Sequence, residues 1–303
     1  MSDRHWDVVI IGGGPAGLAG ALWLARYRRS VLVVDDARPR NEAASAVHGF
    51  PGIPDMDPTA LRHRVREQAA EAGAEFQLRR VTSIEGTKDA FTVHDQAGDV
   101  SKARRILLAY GRQDRVPEIP GLGELYGRSV FHCPDCDGPS VEGQTVGVLG
   151  HDGGAAVLAL YLLTWAHRTL LLTNGLKPKL DEKARGTLRR YGVAVETRPV
   201  RSLEGESGRL RRARMDEGEV ELDALFFHWG SEPTSSLGPA TGCEIAQSGR
   251  ILVDGSSLKT SIEGIYAAGD IVGRPYLAVT AAADGVRAAL AIHRSLLPSE
   301  FHL

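Results

Sequence analysis

The chain has 303 residues, of which 43% are hydrophobic and 24% charged, and its formal net charge is −2. This composition is that of an ordinary globular protein with one large or two ordinary domains, and it gives no electrostatic reason to expect nucleic acid or an acidic membrane surface as a partner. No apolar run is long enough to span a membrane, the N-terminus lacks a signal peptide, and three cysteines are too few for a secreted disulfide scaffold, so we expect a cytoplasmic protein.

The first forty residues have the pattern of a nucleotide-binding strand–turn–helix–strand unit. The apolar run at 7–11 predicts a buried parallel strand, and it leads into a glycine-rich turn, the helix LAGALWLARY and a second apolar run that ends in Asp35. In such a unit Gly12 permits the tight turn, Gly14 lets a pyrophosphate approach the backbone, and Gly17 lets helix and strand pack closely. The helix N-terminus favours phosphates, and Asp35 can accept hydrogen bonds from ribose hydroxyls.

The middle of the chain alternates helix and strand signals. Asp57 and Pro58 predict the start of an amphipathic helix that ends near Gly73. Strand-like runs follow around FTV and RILLAYG, and the segment RVPEIPGLGELYG, rich in proline and glycine, predicts a linker. After it, QTVGVLG, the turn GHDGGA, the helix AVLALYLLTWA and the strand TLLLT form a second such unit, so a weak internal repeat begins at Gly12 and Gly150.

The last third of the chain predicts further strands and one long helix. VELDALFFHWG is typical of a strand pair or one long strand, and RILVDG and GIYAAGD are typical of single strands. AVTAAADGVRAALAIHRSLL predicts a long closing helix. Strands that alternate with helices in this way favour an α/β protein.

Four motifs resemble those of the low-molecular-weight thioredoxin reductase family of flavoproteins. They are GGGPAG at 12–17, LLAYG at 107–111, CPDCDG at 133–138 and GIYAAGDI at 264–271. The resemblance implies an α/β fold with two Rossmann-like three-layer nucleotide-binding domains, the second inserted in the first. We then expect an FAD-binding domain at 1–116 plus 245–303, and an NAD(P)H-binding-like domain, which carries the CxxC motif, at 117–244. The resemblance also implies bound FAD and a homodimer.

The same resemblance implies which residues contact FAD. Asp270 is expected at the ribityl chain, and the following helix is expected to point its N-terminus at the isoalloxazine, although such a glycine–acid turn could also be only a cap. A subgroup with RPRN and HGF motifs matches Arg40, Asn41 and His48, which are then expected to line the flavin; from the residues alone, Asn41 and His48 are equally well explained as turn residues. The full expected set is Gly12, Gly14, Pro15, Ala16, Gly17, Asp35, Arg40, Asn41, His48, Gly111, Gly269, Asp270 and Ala278.

Cys133 and Cys136 are the candidate redox centre. A structural zinc ion needs four ligands, and the other nearby candidate is His132, since Cys243 is far away along the chain; we therefore predict no metal. Two cysteines at i and i+3 after a strand can form the small ring of a CxxC disulfide, which Pro134 stiffens. Cys243 is predicted to be a small buried apolar residue.

The resemblance implies separate roles for the residues of this motif. Electrons from the flavin are expected to reach Cys136, and Cys133 is expected to attack the substrate disulfide through a mixed disulfide. Asp137 is expected to protonate the leaving thiolate, with a helix cap or loop carboxylate as the alternative. The RPRN subgroup includes dithiol oxidases of small molecules, which tend to carry His after the second cysteine. Asp137 at that position, as in thioredoxin reductases, favours a protein disulfide such as that of thioredoxin.

The second glycine turn departs from the family pattern GxGxxA. Asp152 stands at its second glycine position, where a side chain brings bulk and negative charge towards a pyrophosphate. The strand that follows ends in Thr173 and Asn174, in place of arginines for a 2′-phosphate or an acid for a ribose. Only Lys177 and Lys179 could partly substitute. We therefore predict that NADPH is used poorly and that ferredoxin or another electron protein is the donor.

Three functions follow from these observations. The first is an FAD-dependent dithiol/disulfide oxidoreductase that acts on thioredoxin or a similar protein. The second is an FAD dithiol oxidase that passes electrons from a small dithiol to oxygen. The third is a flavin redox sensor without turnover, which the intact CxxC and its acid disfavour. Tyr276 and Leu277 replace the family's arginine–glutamine pair, so an aromatic contact with the flavin and ordinary helix packing both remain open.

Overall fold

A computed structural model describes residues 5–273 and 275–301. This part of the chain divides into two compact units. The first holds the described residues up to Glu42, then Gly49–Gln113, then those from Glu232 onward; the second holds Ala43–His48 and Asp114–Ser231. The second unit ends at Ser231, and Leu237, Cys243 and Ile251 belong to one core of the first unit. The predicted domain bounds remain predictions. The FAD and NAD(P)H-like assignments remain predictions.

The first unit is built on a mixed sheet with helices packed against it. Its elements in chain order are β1 (His5–Ile11), α1 (Pro15–Arg26), β2 (Val31–Asp35), α2 (Pro58–Glu71), β3 (Glu75–Leu78), β4 (Val81–Thr87), β5 (Ala90–Asp95), β6 (Val100–Leu108) and β7 (Arg112–Asp114). The sheet order is β3-β2-β1-β6-β5-β4. β3, β2, β1 and β6 run parallel, and β5 is antiparallel to both of its neighbours, β6 and β4.

The second unit contains a parallel sheet and a small antiparallel sheet. Its elements are α3 (Leu122–Leu125), β8 (Val130–Phe131), α4 (Pro134–Asp137), β9 (Thr145–Leu149), α5 (Gly153–Tyr161), β10 (Arg168–Leu172), α6 (Glu182–Arg190), β11 (Ala194–Glu196), β12 (Val200–Glu206), β13 (Arg209–Met215), β14 (Glu219–Glu221) and β15 (Ala224–Phe227). The parallel sheet has the order β11-β10-β9-β15-β8, and β12, β13 and β14 form the antiparallel sheet. Strand β9 therefore lies beside β15, so their carboxyl ends meet at one edge.

The chain then returns to the first unit. The remaining elements are β16 (Ser231–Pro233), which pairs with β7, then α7 (Leu237–Ala240), β17 (Ile265–Ala267) and α8 (Ala278–Ser295); short 3-10 turns lie at Gly138–Val141, Leu162–Thr164, Gly269–Ile271 and Ser299–Phe301. β17 adds to the first sheet beside β6 in parallel. Within the described ranges, no helix is long and apolar enough to cross a membrane.

Alternate residues of the central strands fill two cores, one on each face of the first sheet. Val8 and Ile10 pack towards α1 and α8, and Val9 and Ile11 belong to the opposite core. The continuous apolar run predicted for this strand is explained by burial on both faces. The mixed α/β fold with parallel sheets confirms the predicted fold class.

Two local predictions were wrong. The segment predicted as a linker is folded, because α3 turns Leu122 and Leu125 into the core of the second unit beside Leu203. RILVDG is not a strand: Ile251 forms only an isolated bridge with Ile245, and its N–H donates to the Ile271 carbonyl.

Candidate functional site

The turn after β1 contains the three glycines of the GxGxxG pattern, Gly12, Gly14 and Gly17. Only at Gly14 is there room for a side chain. Gly12 has φ of +107°, and a Cβ there would lie 2.5 Å from the Ala109 carbonyl oxygen. A Cβ at Gly17 would overlap the Gly12 carbonyl oxygen. At Gly14 no protein atom lies within 4 Å of a Cβ. The fold itself therefore requires Gly12 and Gly17, whereas Gly14 borders space that a ligand can fill.

The N-terminus of α1 is open to an anion. Its N-cap is Gly14, no side chain caps the helix, and Pro15 is the first helical residue. The first backbone hydrogen bond of the helix runs from the Leu18 N–H to the Gly14 carbonyl. The N–H groups of Ala16 and Gly17 therefore face the turn with the positive end of the helix dipole, which suits a phosphate.

Asp35 ends β2 beside this turn. Its Oδ1 accepts a hydrogen bond from the Gly13 N–H at 2.9 Å, and its Oδ2 lies 3.7 Å from Arg62 Nη1. Gly13, Asp35 and Arg62 line an open cleft whose wall includes Phe76, with the Arg66 guanidinium 4.8 Å from the centre of the Phe76 ring. Neither Gly13 nor Arg62 could be assigned from the sequence. An aromatic wall and a carboxylate beside an anion-binding turn fit the nucleoside part of FAD.

The AAGD turn lies against the start of α1. A Cβ at Gly269, whose φ is +77°, would lie 2.9 Å from the Cβ of Ala16. The carboxylate of the next residue, Asp270, accepts a hydrogen bond from Arg40 Nη1 at 2.8 Å. The Arg40 guanidinium also lies 4.6 Å from the centre of the Tyr276 ring. Arg40 thus links the turn after β2 to the segment that leads into α8.

The remaining predicted flavin residues have simpler positions. Gly111 follows β6 with φ of +68°, and α8 begins at Ala278. Asn41 is a half-buried turn residue of the first unit. His48 instead groups with the second unit. A contact of any of these residues with FAD stays a prediction.

In the second unit, Cys133 and Cys136 form a disulfide, with Cα atoms 5.3 Å apart. Cys133 is the N-cap of α4, and its Sγ accepts a hydrogen bond from the Cys136 N–H at 3.2 Å. Both cysteines are half-buried. Among the described residues no group of His, Cys, Asp and Glu could hold a metal. Cys243, the free cysteine, is buried in the core of the first unit.

Asp137 follows directly after the disulfide. Burial raises the pKa of its carboxyl to about 6, and the charge of His48 opposes this rise. His48 reaches this environment because Ala43–His48 packs with the second unit, where a Cβ on Gly127 would overlap the Ala43 carbonyl. A carboxyl with this pKa is protonated in about a tenth of the molecules at pH 7, so it can donate a proton at neutral pH.

The glycine turn after β9 differs from the turn after β1 in its helix cap. Asp152 is the N-cap of α5, and its Oδ1 accepts a hydrogen bond from the Ala155 N–H at 3.0 Å. His228, which follows β15, places Nε2 3.9 Å from the same carboxylate oxygen. A Cβ at Gly154 would overlap the His228 ring. A bound phosphate would use the Ala155 N–H as a hydrogen-bond donor, but this N–H already donates to the Asp152 carboxylate.

His228 was missed by the sequence reasoning, although a signal for it exists. It directly follows an apolar strand, and the carboxyl ends of neighbouring parallel strands meet at one edge. The residues that follow β10 are also engaged by other parts of the chain. Thr173 is fully buried, and the Asn174 Oδ1 accepts a hydrogen bond from the Val200 N–H at 2.8 Å.

The chain is similar to known proteins over most of its length. Residues 6–285 match the family described as pyridine nucleotide-disulphide oxidoreductase. A thioredoxin reductase of Streptomyces clavuligerus is 32% identical, over 98% of this chain and 95% of its own. Thioredoxin reductase tcpT of Claviceps purpurea is 30% identical, over 87% of this chain and 86% of its own. The crystal structure of HlmI superposes with a TM-score of 0.91 at 36% identity, covering 98% of this chain and 94% of that one.

The chain combines a Rossmann-like unit that has a GxGxxG turn with a second unit that carries a CxxC disulfide. Together with the comparisons, this defines an FAD-dependent disulfide oxidoreductase. The chain belongs to the pyridine nucleotide-disulphide oxidoreductase family, among its members similar to the low-molecular-weight thioredoxin reductases.

Proposed function

We propose that the protein moves electrons between FAD and a protein disulfide such as that of thioredoxin, through Cys133 and Cys136, and that NADPH is not its efficient electron donor. FAD, when bound, supplies the electron pair that reduces the Cys133–Cys136 disulfide to a dithiol. The glycine turn at 12–17, Asp35 and the AAGD turn would hold it. The thioredoxin reductases among the relatives support thioredoxin as the partner.

The chain's own residues would then carry out the exchange in two steps. The Cys133 thiolate attacks one sulfur of the substrate disulfide and forms a mixed disulfide, while the departing substrate thiolate takes a proton from Asp137. The Asp137 carboxylate next takes the proton of the Cys136 thiol, and the resulting thiolate attacks the Cys133 sulfur. This re-forms the Cys133–Cys136 disulfide and releases the second substrate thiolate, which takes that proton from Asp137. The substrate gains two electrons and two protons. The Cys133–Cys136 disulfide and the raised pKa of Asp137 directly after it support disulfide exchange at this motif.

The observation that carries the donor proposal is the self-capped N-terminus of α5. Asp152 puts a negative charge where a pyrophosphate would bind, and His228 covers the adjoining turn. Like charges about 4 Å apart repel by about 4 kcal/mol at the effective dielectric of a protein surface, which outweighs the gain of one helix dipole. We therefore propose a ferredoxin-type electron protein as the donor.

Anaerobic titration of the bound flavin with NADPH and NADH tests the donor proposal. The wild-type flavin should bleach slowly with either nucleotide, and Asp152→Gly should bleach at least about tenfold faster. Asp181→Gly is the matched control, because Asp181 caps α6 of the same unit through the same contact to a backbone N–H. Rapid bleaching of the wild-type protein would refute the proposal.

A trapping experiment tests the thiol roles. Cys136→Ser should accumulate a mixed disulfide between Cys133 and thioredoxin that lacks its own resolving cysteine, and Cys133→Ser should not. The reverse pattern would exchange the two roles.

The same self-capped turn also suits a dithiol oxidase, because a dithiol substrate brings its own electrons and needs no nucleotide. Release of hydrogen peroxide from oxygen with simple dithiols, faster than thioredoxin reduction by the photoreduced protein, would favour that second function.

A further inference from the structure

A hydrogen-bonded group of three side chains lies directly before the redox disulfide. His132 precedes Cys133, and its Nδ1 lies 2.9 Å from the Tyr126 hydroxyl. Its Nε2 lies 3.2 Å from Oδ2 of Asp114. A carboxylate can only accept, so Nε2–H donates to Asp114; in the neutral imidazole Nδ1 then accepts from the Tyr126 hydroxyl. Both ring nitrogens of His132 are thereby tied to side chains from other segments of the second unit.

The backbone by itself holds this part of the chain weakly. Strand β8 is only two residues long, and it pairs with β15 through Val130 and Phe131. It also lies at the end of the sheet order. His132 is the first residue beyond the strand and the last before the CxxC turn. The Tyr126–His132–Asp114 group therefore holds the residue directly before Cys133. Within the CxxC turn, Asp135 Oδ1 also accepts a hydrogen bond from the Tyr161 hydroxyl at 2.8 Å, but Asp135 is exposed.

Burying this hydrogen-bonded group costs more desolvation free energy than a purely structural anchor would need. The side chains of His132 and Asp114 are 22% and 10% exposed, so two polar groups are largely removed from water. Phe227 lies beside them, with its ring centre 6.1 Å from that of His132 and 5.6 Å from that of Tyr126. An apolar side chain would pack against this aromatic wall without the desolvation cost. What an apolar side chain would not provide is a fixed orientation.

We infer that His132 is a positioning residue for the redox couple: held by Asp114 and Tyr126, it fixes Cys133 so that its sulfur stays within bonding distance of Cys136. This inference deepens the proposed function and rests on it. Two thiols that are held together have a high effective concentration, and this favours the disulfide over the dithiol. Loss of the anchor should therefore shift the couple towards the dithiol.

Equilibration of the FAD-loaded protein with glutathione buffers, without oxygen, tests the inference. The reduced fraction of Cys133 and Cys136 is read by alkylation and mass, a readout that needs neither an electron donor nor a protein substrate. His132→Phe keeps an aromatic ring but loses both hydrogen bonds, and it should shift the equilibrium constant towards the dithiol about tenfold, equal to about 30 mV. His132→Gln, which keeps a donor for Asp114, should shift it less.

A second variant keeps the test valid if His132→Phe does not fold. Tyr126→Phe removes a single hydroxyl and should give a smaller shift in the same direction, about threefold. Tyr191→Phe, at a residue that is 58% exposed, is the matched control and should give no shift. If every variant stays within about twofold of wild type, the inference is overturned and the proposed function stands. If neither glutathione nor excess dithiothreitol opens the wild-type disulfide, Cys133 and Cys136 are not an exchangeable couple, and both the inference and the proposed function are overturned.

Discussion

Replacing Asp137 with asparagine should stabilise the folded protein, and the gain should grow with pH. The carboxyl is half-buried, and its pKa rises from 3.8 to about 6 on folding, mainly through burial. Below pH 3.8 it is neutral in both the folded and the unfolded chain. Above pH 6 it is ionised in both, and only the folded chain bears the loss of hydration. The cost is therefore absent at low pH and complete above pH 6.

The size of the effect follows from the pKa. A rise from 3.8 to about 6 corresponds to about 3 kcal/mol in the free energy of unfolding. Between pH 5 and pH 8 the difference between Asp137→Asn and wild type should grow by about 1.4 kcal/mol, because part of the cost is already present at pH 5. Since an asparagine side chain cannot protonate a leaving thiolate, the same variant should lose disulfide exchange.

Urea unfolding at pH 5 and pH 8, followed by tryptophan fluorescence at equal FAD concentration, measures this difference. Asp135→Asn is the matched control, because Asp135 is exposed and its replacement removes the same charge without burial. His48→Gln should raise the pKa of Asp137 further, since it removes the charge that lowers it. A difference between Asp137→Asn and wild type that is equal at both pH values would show that the reasoning is wrong.

Two further pairs of substitutions compare residues that are close in sequence but differ in burial or in the space around them. Gly14→Ala should fold normally, because its Cβ meets no protein atom, and it should bind FAD at least about tenfold more weakly, because the Cβ enters the space expected for the pyrophosphate. Gly17→Ala should lose about 3 kcal/mol of stability, because its Cβ overlaps the backbone. FAD fluorescence quenching measures the binding, and urea unfolding measures the stability. Arg105, with a side chain only 2% exposed, hydrogen-bonds to Asp89 and Ser295, so Arg105→Met should cost about 3 kcal/mol in urea unfolding. Arg104→Met, at a side chain 40% exposed, should cost about 0.5 kcal/mol, and equal effects of the two arginines would contradict the role of burial.

Most of the fold was predictable because its signals are local. The apolar run before Gly12, the glycine spacing and the N-cap at Asp57 each depend on residues close together in the chain. The structure bears them out: β1 is buried, and the Asp57 Oδ1 accepts a hydrogen bond from the Ala60 N–H. The errors occurred where a local signal competes with tertiary packing. The proline- and glycine-rich segment before β8 folds because its few leucines find a core, which its composition does not reveal.

In the candidate site, too, contiguous motifs could be predicted from the sequence, whereas contacts between distant residues could not. The glycines at 12–17, Cys133, Cys136 and Asp137 can be recognised from the sequence because each motif is contiguous. The positions of His48 beside Asp137 and of Arg40 on Asp270 could not be predicted, because the partners are distant in the chain. No spacing rule relates such pairs.

The sequence by itself determined the two glycine turns, the CxxC pair and the acid after it, since backbone conformation and the ring of a CxxC disulfide depend on neighbouring residues. Only the tertiary structure decided how those elements are surrounded. It brought the end of β15 to the end of β9, so that His228 covers the turn that Asp152 caps. It also brought Asp114 and Tyr126 to His132. Such contacts depend on which strands are neighbours in the sheet, and strand order is a property of the whole fold.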